Sequence, residues 1–375
     1  MAGIYIHIPF CTQRCIYCDF LSGTNIGLKG RYIDALVREM GLRRGYLGDA
    51  QVRTVYFGGG TPSLLSHEDF SRIVEGLAAH WDLSAVEEWT VECNPEDITR
   101  EYAEMLRSLP FNRVSIGIQS FDEGELKWLN RRHTAARGAE AVRCVQNAGF
   151  GNVSIDLMYA LPMQTVESWR RTLDAALSLG VQHISAYSLM FEEGSKIAKL
   201  MEAGRIAPMD DDTAADMFSE LCGRLGEAGY EQYEISNFAR PGYESRHNSA
   251  YWDYTPYIGL GAGAYSFDGR RRSNNVAHTL RYCRAIEEGW PFSEEETLTR
   301  DEQYNEFVFT ALRTRKGLNL ALVGERFGTE ARVYAEARAS RFICGGQLER
   351  DGDVLRLTRN GVYVSDMVMS DFMRV

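Results

Sequence analysis

The feature that most constrains this chain is an alternation, repeated six times between residue 3 and about residue 190, of short β-branched and aromatic runs with longer amphipathic segments. The strand-like runs are Ile4–Ile8, Thr54–Phe57, Trp89–Cys93, Val114–Ile118, Val153–Met158 and Ile184–Leu189. Between them lie RYIDALVREM, DFSRIVEGLAAHW, REYAEMLRSL, GAEAVRCVQNAGF and ESWRRTLDAAL, whose apolar residues recur at spacings of three and four, as one face of a helix requires. Gly149 and Gly180 close two of these segments as helix C-termini prefer. Strands separated by helices build βαβ units, so the predicted class is α/β with a parallel sheet, open or curled into a barrel. In either form ligands gather at the C-terminal ends of the strands. Cys11, Cys15 and Cys18 follow the first strand there, Gly58, Gly59, Gly60 and Thr61 the second, and Glu92 and Gln119 end the third and fourth. Asp156 lies on the fifth strand and Ala186 on the sixth.

Past this region a helix is expected from about Asp211 to Ala228, its acidic first turn suiting the positive end of the helix dipole. The alternation then stops. Residues 230–272 are aromatic, glycine-containing and read as irregular, and from about Thr299 the pattern turns helical before the strand-like RLTRNGVYVSD. The 375 residues exceed a typical domain of roughly 100–200. The expected division is a core over residues 1–236, an irregular aromatic segment over 237–296, and a smaller, mostly helical domain with a minor sheet over 297–375, in some respects resembling a winged helix.

A net charge of -11 excludes a surface built to neutralise phosphates, so no nucleic acid partner is expected, although Arg270, Arg271 and Arg272 form a local basic patch. MAGIYIHIPFC lacks the charged and apolar regions of a secretory signal, and no uncharged apolar run reaches the roughly 18 residues of a membrane span. The expectation is a cytoplasmic protein with at most peripheral membrane contact. Eight cysteines are too few for a disulfide framework in so long a chain. Cys93, Cys144, Cys222, Cys283 and Cys344 are scattered and read as small buried hydrophobes.

The other three demand a separate account. Thiolates spaced Cys-x3-Cys-x2-Cys on one loop wrap a corner of a 4Fe-4S cubane, each ligating a different iron. No fourth cysteine lies nearby, the next being Cys93, so one iron stays open to a substrate. A zinc site completed by His7 is the competing arrangement, but zinc motifs pair two short doublets and no second doublet is present. The Gly58–Pro62 tract removes side chains where backbone must approach a ligand; a tight turn is its plain alternative. Gly259, Gly261 and Gly263 mimic a dinucleotide loop but open no βαβ unit.

At YIHIPFCTQRCIYCDF, YFGGGTP, VECNP, RVSIGIQSF and SIDLMYALP the chain resembles the radical S-adenosylmethionine (SAM) superfamily, in the branch that contains oxygen-independent coproporphyrinogen III oxidase and the HemW heme chaperones. The resemblance spans nearly the whole chain, including LTRNGVYVSDMV. It implies a partial (β/α)6 barrel, a 4Fe-4S cluster on Cys11, Cys15 and Cys18, and SAM chelating the fourth iron. Tyr5, Tyr17, Gly59, Gly60, Thr61, Glu92, Gln119, Arg131, Asp156 and Ala186 match positions that contact SAM in the oxidase, with Glu92 suited to the ammonium group, Arg131 to the carboxylate and Asp156 to a ribose hydroxyl.

Two features separate the chain from the oxidase. Cys18-Asp19-Phe20 lacks the oxidase's additional cysteine, and only ten residues precede Cys11, where the oxidase has an extended N-terminal segment. His247-Asn-Ser-Ala-Tyr251-Trp252 matches the HNxxYW pattern of the chaperones, and the resemblance implies heme ligation by His247 with Tyr251 and Trp252 on the porphyrin face; by its residues alone, a histidine in an aromatic stretch reads as a satisfied core residue. Arg270–Arg272 are candidates for the heme propionates, with a solvated loop as the plainer reading. The implied function is a heme chaperone that hands heme to a respiratory apoprotein, with a reductant such as flavodoxin or ferredoxin for the cluster. The alternative is oxidative decarboxylation of coproporphyrinogen III, for which no catalytic residue is assigned.

Overall fold

In the computed structural model, which describes residues 1–193 and 195–374, the six predicted runs are the parallel strands β1 (Ala2–Ile8), β2 (Val52–Gly59), β3 (Glu88–Cys93), β4 (Arg113–Gln119), β5 (Val153–Tyr159) and β6 (His183–Ser188). They pair in chain order, each parallel to the next. Successive side chains of a strand point to opposite faces. One face, with Ile4, Ile6, Ile8, Val55, Phe57, Val91, Val114, Ile116, Ile155 and Ile184, is fully buried in one apolar core with the helices. Ser66, Thr99, Thr134 and Thr165 cap four of those helices by accepting a backbone N–H, so the chain turns sharply from strand end into helix. The other face carries Tyr5, His7, Thr54, Tyr56, Glu88, Thr90, Glu92, Arg113, Ser115, Ser154, Asp156 and His183, polar residues at the alternate positions of the same strands.

Residues 237–296, expected to be irregular, are instead the two margins of this sheet. β7 (Glu231–Glu234) and β8 (Asn237–Ala239) form a hairpin whose second strand pairs antiparallel with β6. After the helix Arg246–Trp252 the chain returns to the opposite edge. β9 (Tyr257–Leu260) runs parallel to β1, and β10 (Tyr265–Phe267), β11 (Arg271–Asn275) and β12 (Ser293–Thr297) follow antiparallel, completing twelve strands. These strands are three to five residues long and glycine-interrupted, which is why periodicity misses them. The glycines answer a packing need: Gly261 has φ +103°, and a Cβ there would lie 2.2 Å from the Tyr32 hydroxyl oxygen.

A buried carboxylate fastens this extension to the core. Glu39, on the helix Lys29–Leu42, accepts from the Gly261 amide at 2.8 Å, Asn275 Nδ2 at 2.7 Å and the Tyr282 hydroxyl at 2.5 Å, with Arg43 at 3.5 Å. Arg43 in turn donates to Gly259 O, Ser266 Oγ and Ser273 Oγ. Residues beyond Thr299 build a second apolar core around Tyr304, Val308, Leu312, Val323, Phe342 and Phe372, beside a three-stranded antiparallel sheet. Among the described residues no helix is long and apolar enough to cross a membrane.

Removing one partner of a buried ion pair strands the other charge, at a cost of about 3–5 kcal/mol. Glu39→Leu should therefore lower the unfolding free energy by about that amount in urea denaturation; a loss below about 1 kcal/mol would contradict the fastening role.

Candidate cofactor site

The cysteine loop leaves β1 and is closed at its base by paired backbone bonds, Cys11 N to Gly23 O at 3.0 Å and Gly23 N to Pro9 O at 2.9 Å. His7 adds a side-chain bond to Leu21 O at 2.8 Å. The far end is pinned by Ile16, which packs with Leu129, Met158, Leu161, Leu189 and Ile197 in a small core and bonds through its backbone to Leu129 and Ile197. Asn130 holds the same turn through Arg14 O. The three thiols therefore sit on a loop braced from two sides. Burial pushes the Cys11 thiol up and the Cys18 thiol up to about 11, so neither is a ready thiolate until a metal ion supplies the positive charge. Among the described residues no three His, Cys, Asp or Glu side chains converge on a point that would hold a single ion.

Thr61 donates to Cys11 Sγ at 3.3 Å and receives Asn94 Nδ2 at 3.1 Å, joining the loop to the glycine tract after β2. The tract permits a contact no other residue would. Gly60 N bonds Ile8 O at 2.8 Å, and a Cβ on Gly60 would lie 2.8 Å from both Ile8 O and Phe10 O. Gly59, at φ +105°, would drive a Cβ into the His7 ring at 2.5 Å. Its amide donates to Glu92 at 3.2 Å, and Tyr56 donates to the same carboxyl at 2.6 Å. Burial nevertheless pushes Glu92 up to about 7, with the Asp156 charge adding to the rise. Such a carboxylate gains from an incoming cation.

Arg131 supplies the opposite sign. Its guanidinium donates to Gly117 O at 2.7 Å, Asn94 Oδ1 at 2.9 Å and Cys15 Sγ at 3.4 Å, while its buried Nε has no partner in the protein. Its hydrogen bonds go to neutral acceptors and a thiol, with Glu96 acting on it only through charge, so the guanidinium can still bond a ligand carboxylate. Gln119 reaches its place through a left-handed turn, φ +69°, at the end of β4. Asp156 is half-buried, and desolvation raises its pKa. Together these residues and the three cysteines line one open cavity of about 420 Å³, with Tyr17, Gly59, Gly60, Thr61 and Glu92 on its wall. The size lies in the range of small-molecule sites, and the cavity offers a cation acceptor, an anion donor and three thiols within one space.

Two predicted residues are not on that wall. Tyr5 lies deeper, its hydroxyl 3.1 Å from His7 Nδ1. Ala186 faces the helix-side core, and its amide is taken by Ser236 O at 2.8 Å. The heme candidates are also elsewhere. His247 is 1% exposed with Nδ1 2.8 Å from Thr54 Oγ1 and Nε2 2.9 Å from the Tyr251 hydroxyl, and burial pushes its pKa down to about 3. Both ring nitrogens are engaged, so the expected axial ligand is not presented to an iron here. Trp252 has the Arg313 guanidinium over one face, 4.9 Å from its ring centre. Arg271 and Arg272 are spent on Asp268, Glu295 and Glu306. Sequence reading passed over Asn94, Tyr56 and Arg113, polar residues at inward positions whose only signal was the alternation of the strands.

A model of the radical SAM superfamily matches residues 5–176, and one of the HemN C-terminal domain matches residues 298–364. The heme chaperone HemW of Mycobacterium tuberculosis is 37% identical over 372 residues, 98% of this chain and 93% of that protein. HemW of Bacillus subtilis is 32% identical over 382 residues, 100% and 99% of the two chains. The structure of coproporphyrinogen III oxidase (HemN) from Escherichia coli superposes with a TM-score of 0.85 at 23% identity over 99% of this chain and 90% of that one, a likeness of fold. Fold and cavity thus define a radical SAM protein, and that superfamily implies a 4Fe-4S cluster and SAM. Within it the chain belongs to the HemW family.

The contact at Gly60 gives a direct test. Gly60→Ala must displace the start of the cysteine loop, so anaerobic reconstitution should leave well under half the iron of the unsubstituted protein at unchanged far-ultraviolet circular dichroism. Full iron loading would refute the need for a bare backbone at that position.

Proposed function

We propose that this protein is a heme chaperone of the cytoplasm that binds heme, carries a 4Fe-4S cluster with SAM, and transfers heme to a respiratory apoprotein, with flavodoxin or ferredoxin as the cluster's reductant. The observation that carries the choice over coproporphyrinogen III oxidation is Phe20. It occupies the position of the oxidase's additional cysteine and stands 61% exposed on the cavity rim. Met190, 62% exposed on the same rim, extends an apolar mouth that suits a macrocycle better than water. The names of the most similar relatives, heme chaperones across their full length, support the same choice.

In this reading Cys11, Cys15 and Cys18 hold the cluster. Arg131 takes the SAM carboxylate and Glu92 its ammonium group, while Tyr17, Gly59, Gly60, Thr61, Gln119 and Asp156 shape the remainder of the cavity. When bound, the cluster supplies an electron to the sulfonium; the chain's own part is to hold and orient both groups away from water. No residue is assigned as the heme ligand, because the His247 nitrogens are occupied.

Titration of the purified protein should saturate near one heme per chain, and anaerobic reconstituted protein should yield no protoporphyrinogen IX from coproporphyrinogen III where an authentic oxidase does. Product formation, or the absence of saturable heme binding, would overturn the proposal. A pH profile tests the ammonium assignment. Glu92 is neutral below its raised pKa of about 7 and charged above it, so SAM affinity by equilibrium dialysis should climb several-fold from pH 6 to pH 7.5, and Glu92→Gln should flatten that rise. An unsubstituted protein with no rise would remove Glu92 from the role.

A further inference from the structure

The HNxxYW helix lies outside the cavity yet is joined to its wall. Arg246–Trp252 sits across the end of the polar interior where β1, β2 and β3 begin. Its first amides, Arg246 N and His247 N, donate to the two oxygens of Glu88 at 3.0 and 2.9 Å, which fixes the helix at the floor. From there His247 projects inward between the Thr54 and Tyr251 hydroxyls. Its ring lies 5.0 Å from that of Tyr56, tilted 26° from parallel, and 6.4 Å from that of Tyr5. The seat is made by a missing side chain, since a Cβ on Gly3 would come within 3.1 Å of the imidazole.

Tyr56 reaches from this stack toward the cavity, and its hydroxyl donates to Glu92 at 2.6 Å. Gly58 keeps the two close, because a Cβ there would lie 2.9 Å from the Tyr56 ring and 3.1 Å from the Glu92 carboxyl. An imidazole anchored by two hydroxyls thus bears on the face of the ring whose far end holds the cavity's acid. Side chains held by packing and by outer hydrogen bonds are what keep a binding group in position.

We propose that His247 is a positioning residue for the SAM site: through its stack on Tyr56 it fixes the hydroxyl that holds Glu92, so the HNxxYW helix serves cofactor binding rather than ligating heme iron. The inference rests on Glu92 as the carboxylate that takes the SAM ammonium group.

The test uses full-length, anaerobically reconstituted protein, with SAM affinity read by equilibrium dialysis beside iron content and the heme absorption spectrum. Tyr56→Phe and His247→Ala should each weaken SAM binding about five- to tenfold, and the double variant should be no weaker than Tyr56→Phe, because coupled sites do not add. His247→Gln, which can bridge the same hydroxyls, should recover most of the affinity. Iron per chain and the heme spectrum should not move. Additive losses, or a His247→Ala affinity within about twofold of the unsubstituted protein, would overturn the proposal. So would a changed heme spectrum at unchanged SAM affinity, which would return His247 to the heme. Should His247→Ala fail to fold, Tyr251→Phe and Gly3→Ala disturb the same seat by one hydroxyl or one methyl and must weaken SAM binding in the same direction. Glu92→Gln is the separate control: if SAM affinity ignores it, the ammonium assignment fails, whatever His247 does.

Discussion

A parallel sheet covered by helices on one face and enclosing polar residues on the other must find partners for every group it takes out of water, since an unpaired buried polar group costs roughly 1–3 kcal/mol. Around Arg113 that requirement is met by charge rather than by hydrogen bonds. Its side chain is 1% exposed, and Nε and Nη1 find no partner in the protein. Burial raises the pKa of both Glu92 and Asp156 and lowers those of His247 and His183; the Arg113 charge offsets part of the rise for the carboxyls and adds to the fall for the imidazoles. The two carboxyls on the cavity side and the two imidazoles on the floor thus share one buried cation, which makes cavity and floor one electrostatic unit.

Much of the core was legible in the sequence because each level agreed with the next. Apolar runs, helix periodicity and glycine helix ends together place the alternating units, and the observed strands begin or end within two residues of the expected runs. The cavity lining followed for a related reason: Cys11, Cys15, Cys18, the glycine tract, Glu92 and Gln119 stand at strand ends, where topology alone brings them together. What the runs concealed was their own alternation. IYIHI, TVYFGG and SIDLMY were read as strand runs, but not as two-faced ones: Tyr5, His7, Thr54, Tyr56, Ser154 and Asp156 alternate with the apolar residues and turn to the polar interior.

The margins were illegible for a different reason. β7 to β12 are three to five residues long, and their place is set by β1 and β6, 254 residues away in the Gly3–Tyr257 pair of β1 and β9, rather than by any local period. Gly259, Gly261 and Gly263 looked like loop residues because their use, close approach to Tyr265, Tyr32 and Leu21, is visible only in three dimensions. His247 depends on three-dimensional context in the same way. A histidine between aromatics has one appearance in sequence, and only its partners distinguish a metal ligand from a keystone.

The position of these margins bears on how the protein can be cut. β8 covers one rim of the six-strand array and β9 the other, and both come from chain that follows it. A fragment ending near residue 230 would keep the cysteine loop and every residue of the cavity wall but expose two raw ladders of amides and carbonyls. Such a piece invites strand exchange between copies, so the excised array should precipitate even though all its cofactor ligands are present.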